Sequence, residues 1–321
     1  MQLFNLGIDV AKAKLDCALR TPDGKYKNKV VENNPKGFAD LRQWLIKHDG
    51  MQARVCMEAT GTYWEGVAEY LAGEGMAVSV VNPLQIKSYG QSLLIRSKTD
   101  RVDAQLIAHF CHERQPALWK APSAAEQALR AMVLRMNALQ TMRTQESNRL
   151  DVSREAVKQN IESHIIWLDT EIKALAKKIQ NHIDDDPDLR NKRELLDSIP
   201  GLGERTIPIL LSYFSDLERF SNPKKAAAFA GLDPRQHESG SSVKGKTRMS
   251  KLGHTFLRKA MYMPSMVTLH RTEWGKIFKE RLSSAGKPPM VIIGAMMRKL
   301  VHVTIGVLKS GKMFDPALHA A

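Results

Sequence analysis

Cysteine is scarce in this 321-residue sequence: Cys17, Cys56 and Cys111 are the only three, and they lie far apart. No two have Cys-x-x-Cys spacing, which excludes a zinc ribbon and argues against a disulfide framework; a reducing cytosol suits such a chain best. A Walker A phosphate loop is missing, so nothing ties the chain to ATP. No basic-then-apolar leader opens the sequence, and its apolar runs read as shorter than the ~18 residues of a membrane span. A soluble, cytoplasmic protein without a membrane partner is expected. Glycine and proline are both absent from Ser123 to Asp186, so nothing punctuates a helix there. Acids are in deficit, 34 Asp and Glu against 48 Lys and Arg, for a net charge of +14 and a pI near 9.7. That excess attracts a polyanion, nucleic acid first and an anionic membrane surface as its rival.

Hydrophobic residues at 43% and charged residues at 26% make an ordinary globular mixture, long enough for two or three cores. The first third alternates strand and helix. Leu3–Val10 reads as a buried strand, and Leu15–Arg20 and Tyr26–Val31 flank the turn Thr21-Pro22-Asp23-Gly24. A helix over Lys36–His48 shows an apolar face of Phe38, Leu41, Trp44 and Leu45. Strand Ala53–Met57, helix Trp64–Ala72, strand Ala77–Val81 and a helical pattern after Lys98 complete an α/β domain over 1–121.

Over 122–187, Ile161, Ile165, Leu168, Ile172, Leu175 and Ile179 keep heptad spacing, as do Leu129, Met132, Met136 and Leu139. Two long helices or one broken helix are implied, either a self-associating coiled coil or a helical hairpin packed on its own chain. Residues 188–321 read as a mostly helical domain ending in Met290–Leu308. The fold class is α/β plus α.

Asp9 sits within an apolar strand, where a carboxylate is costly unless it is paired or holds a metal. Glu58 follows the strand Arg54–Met57. Asp100 and Asp103 open a helix three residues apart, on one face. Singly, each has a bland reading as a cap, a turn residue or a complement to the helix dipole. Their order suits one edge of an RNase-H-like sheet, and four hard oxygen donors suit Mg²⁺ or Mn²⁺. His109 and His112 are explained more cheaply as structural.

From Arg235 to Lys259 there are seven Lys and Arg and a single acid, Glu238. Lys244, Lys246, Arg248 and Lys251, with glycines between them, suit a phosphate backbone; the alternative is a solvated loop. Lys12, Lys98 and Arg101 would join them. Gly201 and Gly203, in a Gly-x-Gly turn between helices, point to DNA contact of the helix-hairpin-helix kind or to a plain turn.

Leu6-Gly7-Ile8-Asp9-Val10-Ala11-Lys12, Glu58-Ala59-Thr60-Gly61-Thr62-Tyr63, Lys98-Thr99-Asp100-Arg101-Val102-Asp103-Ala104, Pro200-Gly201-Leu202-Gly203 and the run from Ser239 to Arg258 resemble the DEDD-type insertion-sequence transposases, the bridge-RNA-guided serine recombinases. The likeness spans about residues 5 to 309. It implies a RuvC-like, RNase-H-like N-terminal domain, a coiled-coil insertion and a C-terminal transposase domain. The family's acids correspond to Asp9, Glu58, Asp100 and Asp103, and its nucleophilic serine to Ser239, with Ser241 and Ser242 close by. The resemblance further implies double-stranded DNA and a guide RNA as partners, a homo-oligomer with a site shared between subunits, and a bacterial cytoplasm, at the nucleoid when active. Rivals are a junction endonuclease using activated water, an actin-like kinase and a non-catalytic DNA-binding scaffold.

Overall fold

The computed structural model describes residues 4–319 except 98, 215, 237, 240–242, 245 and 246. The chain divides into two compact units, 1–121 and 122–321. The first unit is α/β and the second almost wholly helical, the α/β plus α class.

In the first unit β1 (Asn5–Val10), β2 (Lys14–Arg20) and β3 (Tyr26–Glu32) precede α1 (Pro35–Lys47). Then come β4 (Arg54–Glu58), α2 (Glu65–Gly73), β5 (Ala77–Val81), α3 (Pro83–Ser92) and α4 (Asp100–Arg114). The strands lie in the order β3-β2-β1-β4-β5. β1–β2 and β2–β3 are antiparallel, while β1–β4 and β4–β5 are parallel. The sequence reading has no element at α3. Its signals are an Asn82 side chain accepting from the Leu84 N–H and proline at the first helical position.

The central strand β1 is covered on both faces, and its alternation divides the work. Leu6, Ile8 and Val10 pack with Phe38, Leu41, Leu45, Val67 and Leu71 of α1 and α2. Asn5, Gly7 and Asp9 point the other way, toward α4. A Cβ on Gly7 would fall 2.2 Å from the Ala104 carbonyl oxygen and 2.3 Å from the Ala108 nitrogen. Only glycine lets this helix lie against this strand.

In the second unit α5 (Ala124–Val152) and α6 (Glu155–Asp185) are joined by Ser153 and Arg154. Ser123 and Glu126 form a capping box at the start of α5. The two helices make a hairpin within the chain, cross-linked by Arg143 to Asp169 at 2.9 Å. Leu129, Val133, Ile179 and Ile183 share one core with the helices that follow. Those are α7 (Pro187–Asp197), α8 (Ile207–Tyr213), α9 (Pro223–Phe229), α10 (Thr255–Ala260), α11 (Tyr262–Arg271), α12 (Glu273–Ser284) and α13 (Pro289–Ser310). The heptad row of α6 is therefore occupied, along part of its length, by its own chain. The helical region expected over 122–187 has no core separate from the rest of the unit.

One expectation is corrected. Helix α13 is long and apolar enough to cross a membrane, with a mean hydropathy of 1.7, although no run of that kind was expected from the sequence. Scattered polar residues such as Arg298, Lys299, His302 and Thr304 hide the stretch from a search for unbroken apolar runs. Its Met296, Leu300, Val301, Val303 and Ile305 are buried in the unit's own core, as in a soluble protein's central helix.

Replacing Gly7 with alanine should displace α4 and cost about 1–3 kcal/mol or more, the range for overpacked cores. Urea unfolding measures this; an unchanged midpoint would mean that α4 does not lie on β1 as described.

Candidate active site

Three elements meet along one line of the sheet. On β1, Asn5, Gly7 and Asp9 face successive turns of α4: the Asn5 amide lies 3.3 Å from His112 Nδ1, Gly7 touches Ala104 and Ala108, and Asp9 reaches the first turn. There Thr99 caps the helix, accepting from the Val102 N–H, and Asp100 and Asp103 follow. The antiparallel register sets Asp16 of β2 directly across from Asp9. On the other side the parallel ladder runs as far as Ile8 and Met57, the residues just before Asp9 and Glu58. Paired residues share a face of a sheet, so Asp16 and Asp9 lie side by side beneath the start of α4, and Glu58 ends its strand at the same end of the sheet.

Electrostatics report the crowding. Asp9 ionises only at about 6, raised by burial first and then by Asp103, Asp100 and Asp16, with Lys14 opposing. Lys14 is the local counter-ion, its ammonium 2.6 Å from Asp100 and 3.0 Å from the buried Asp16. Those two bonds, Asp100 before Asp16, raise its affinity for its proton. Among the described residues, no three Asp, Glu, His or Cys side chains are gathered closely enough to hold an ion together. The donors share one end of the sheet and one excess of negative charge, without converging on a point.

Sequence reasoning missed three groups here. Lys14 and Asp16 were findable, because a tight β1–β2 connection fixes Asp16 opposite Asp9. Asn33 was not: its amide donates to the Ala11 and Tyr63 carbonyls at 2.9 and 3.0 Å, tying the loop after β1 to the loop after β4. His109 and His112 take structural partners, Glu113 at 3.4 Å and Asn5.

In the second unit Ser239 lies in β7 (Glu238–Ser239), paired with Val243 of β8 (Val243–Lys244). The segment's base is the pair β6 (Pro234–Arg235) and β9 (Arg248–Met249). Asp233 anchors that base through Arg298 of α13 at 2.8 Å. Ser241, Ser242, Lys98 and Lys246 fall outside the described residues. Lys12, Arg101, Arg248 and Lys251 are exposed. Gly203 is open around its Cβ position, but Gly201 has a φ of +106° and would drive a Cβ to 1.9 Å from Thr268 Oγ1. Packing against α11 thus explains Gly201 without a ligand.

Two family models match the sequence: a DEDD-type IS110 model described as "Transposase", over residues 6–153, and "Transposase IS116/IS110/IS902 family", over 193–280. The chain is 33% identical over 317 residues to the pilin gene-inverting proteins of Moraxella bovis and Moraxella lacunata, covering 98% of this chain and 98% of each of theirs. A solved Thermus thermophilus RuvC in complex with a Holliday junction substrate is 15% identical with a TM-score of 0.28, covering 36% of this chain and 98% of its own. A likeness at that score says nothing about fold.

The raised Asp9 has a sign that can be checked without metal. Its folded value, about 6, exceeds the ordinary 3.8, so the fold binds an extra proton between them. Stability contributed by that proton is full below the lower value and is lost as pH rises through the upper one. Asp9→Asn should therefore raise the metal-free thermal midpoint at about pH 7 and leave it nearly unchanged at about pH 4. A lowered midpoint at neutral pH would remove the crowding from the account.

Proposed function

The chain belongs to the IS116/IS110/IS902 family of transposases, and we propose that it is a metal-dependent DNA recombinase that cuts and rejoins strands through a phosphoserine intermediate. The observation that carries this reading is the place of Asp9, across from Asp16 and near the Asp100/Asp103 turn, with its carboxyl raised to about 6 by burial and by those neighbouring acids, and with Glu58 at the same end of the sheet. The sheet order, with an antiparallel hairpin running into parallel β4 and β5, supports an RNase-H-like domain.

Mg²⁺ or Mn²⁺ would suit the chemistry of this all-oxygen donor set, and Asp9, Glu58, Asp100 and Asp103 are the residues that would have to draw together to hold it. A bound divalent ion would supply charge stabilisation for phosphoryl transfer and ease the loss of the serine proton. Lys14 balances Asp100 and Asp16, and Asn33 fixes the loops that follow β1 and β4. Ser239 attacks the scissile phosphorus. Its Oγ–P bond forms as one P–O bond of the strand breaks, and the proton lost by the serine is balanced by the one the departing oxygen takes up to leave as a hydroxyl end. Attack on the phosphoserine by the hydroxyl end of another strand restores Ser239 and conserves the phosphodiester, so no ATP is consumed.

Relatives named for inverting a gene favour this over a junction endonuclease, because inversion requires every cut strand to be rejoined. Lys12, Lys98, Arg101, Gly203, Lys244, Lys246, Arg248 and Lys251 would hold backbone phosphates, with Gly201 shaping the turn beside them. The family likeness supplies a guide RNA, and a net charge of +14 suits a protein that reads a heteroduplex by shape. Exposed Val152, Val157, Ile166 and Trp167, around and beyond the bend of the α5–α6 hairpin, support a homo-oligomer joined by a coiled-coil seam. The cytoplasm, at the nucleoid, is the place for such activity.

With a DNA substrate and Mg²⁺, denatured wild-type protein should carry a covalently attached strand. Ser239→Ala should abolish the adduct, and Asp103→Asn should abolish both cleavage and adduct while sparing DNA binding. Cleavage without any adduct would instead establish the endonuclease reading.

A further inference from the structure

Within the second unit, positive charge gathers on an aromatic floor where no reaction has yet been assigned. Tyr213 at the end of α8 and Phe229 at the end of α9 lie 6.5 Å apart. The ring of His254 lies 4.3 Å from Tyr213 and 5.9 Å from Phe229. The His254 N–H donates to the Phe229 carbonyl at 2.7 Å, so the backbone fixes this meeting. Two guanidiniums lie over the same rings. Arg130 of α5 is 5.4 Å from the Tyr213 centroid, and Arg219 is 4.8 Å from that of Phe229.

The charges are close enough to feel one another. His254 loses basicity through burial first, and then through Arg130, Arg219 and Arg258. Arg258 has internal work, donating to the Ala230 and Lys251 carbonyls and to Thr255 Oγ1 at 3.2–3.3 Å. Arg130 and Arg219 differ: among the described residues, neither forms an ion pair with a carboxylate. Asp216 is within range of Arg219, but its carboxylate accepts from Arg219's own backbone N–H at 3.3 Å.

Ring stacking rewards each guanidinium separately, by about 0.5–1 kcal/mol at exposed sites. It does not explain two of them around one imidazole, since like charges repel. A guanidinium laid face-on to a ring still presents its N–H edge, and a phosphate offers that edge two acceptors. The cluster also has a telling position. His254 follows Lys251 directly after the basic segment that carries Ser239, and it closes that segment's base against Phe229.

We propose that Arg130 and Arg219, flanking His254, bind a backbone phosphate of the nucleic acid. This contact is separate from those of Lys244, Lys246, Arg248 and Lys251, and it rests on the recombinase reading only in taking nucleic acid as the ligand. Duplex DNA and RNA share this chemistry, so both are probes.

In a full-length Ser239→Ala background, binding of a fluorescent DNA duplex and of an RNA hairpin is measured across salt concentrations. Arg130→Gln and Arg219→Gln should each lower the salt slope by about one for the nucleic acid that occupies the site. Arg130→Lys and Arg219→Lys should keep most of that slope. Independently of any substitution, phenylglyoxal labelling of the Ser239→Ala protein should modify both arginines in the free state and spare them when that nucleic acid is bound. Equal slopes in the glutamine variants, or equal labelling with and without both probes, overturn the site while leaving the serine chemistry standing. A parent protein that binds neither probe overturns the recombinase reading as well.

Discussion

Everything in the first unit is set by how closely α4 lies on β1. Gly7 has no side chain, and the Ala104 carbonyl and the Ala108 amide occupy the space where one would stand. That contact fixes the helix along the strand. One step on, at Asp9, the first turn of α4 brings in Asp100 and Asp103, and the neighbouring strands bring Asp16 and Glu58. A bulkier residue at position 7 would lift the helix and dissolve the arrangement.

Bringing carboxylates together costs free energy, and this fold meets the cost in two ways. Asp9 holds its proton to about 6, and Lys14 stands between Asp100 and Asp16. An added cation would ease the same repulsion. The second unit has the opposite sign. Around its serine segment lie Arg248, Lys251, Arg258 and, beyond them, Arg130 and Arg219.

Much of this was legible in the sequence because periodicity is local. The strand–hairpin–helix order and the long helices without glycine or proline follow from spacing, whereas the four candidate acids were picked out by their order along the fold and by the family resemblance. Lys14 and Asp16 were missed because their role depends on register across β1 and β2, which the short link between the strands implies but spacing along one strand does not display. Helix α3 was missed because its apolar face is short, although Asn82 and Pro83 marked its start. Gly201 was read for its backbone amide, whereas Thr268 from a distant helix explains it. The apolar length of α13 was underestimated because four polar side chains interrupt it. The arginine cluster brings together residues 130, 219 and 254, a separation no local pattern spans.

The most direct test of the central claim is Mn²⁺ binding followed by electron paramagnetic resonance, on the full chain without nucleic acid. The account predicts bound Mn²⁺ in the wild type, and its loss both in Asp9→Asn and in the paired Asp100→Asn, Asp103→Asn variant, with the fold retained. Mn²⁺ bound equally well by those variants, or not bound by the wild type at all, would contradict it.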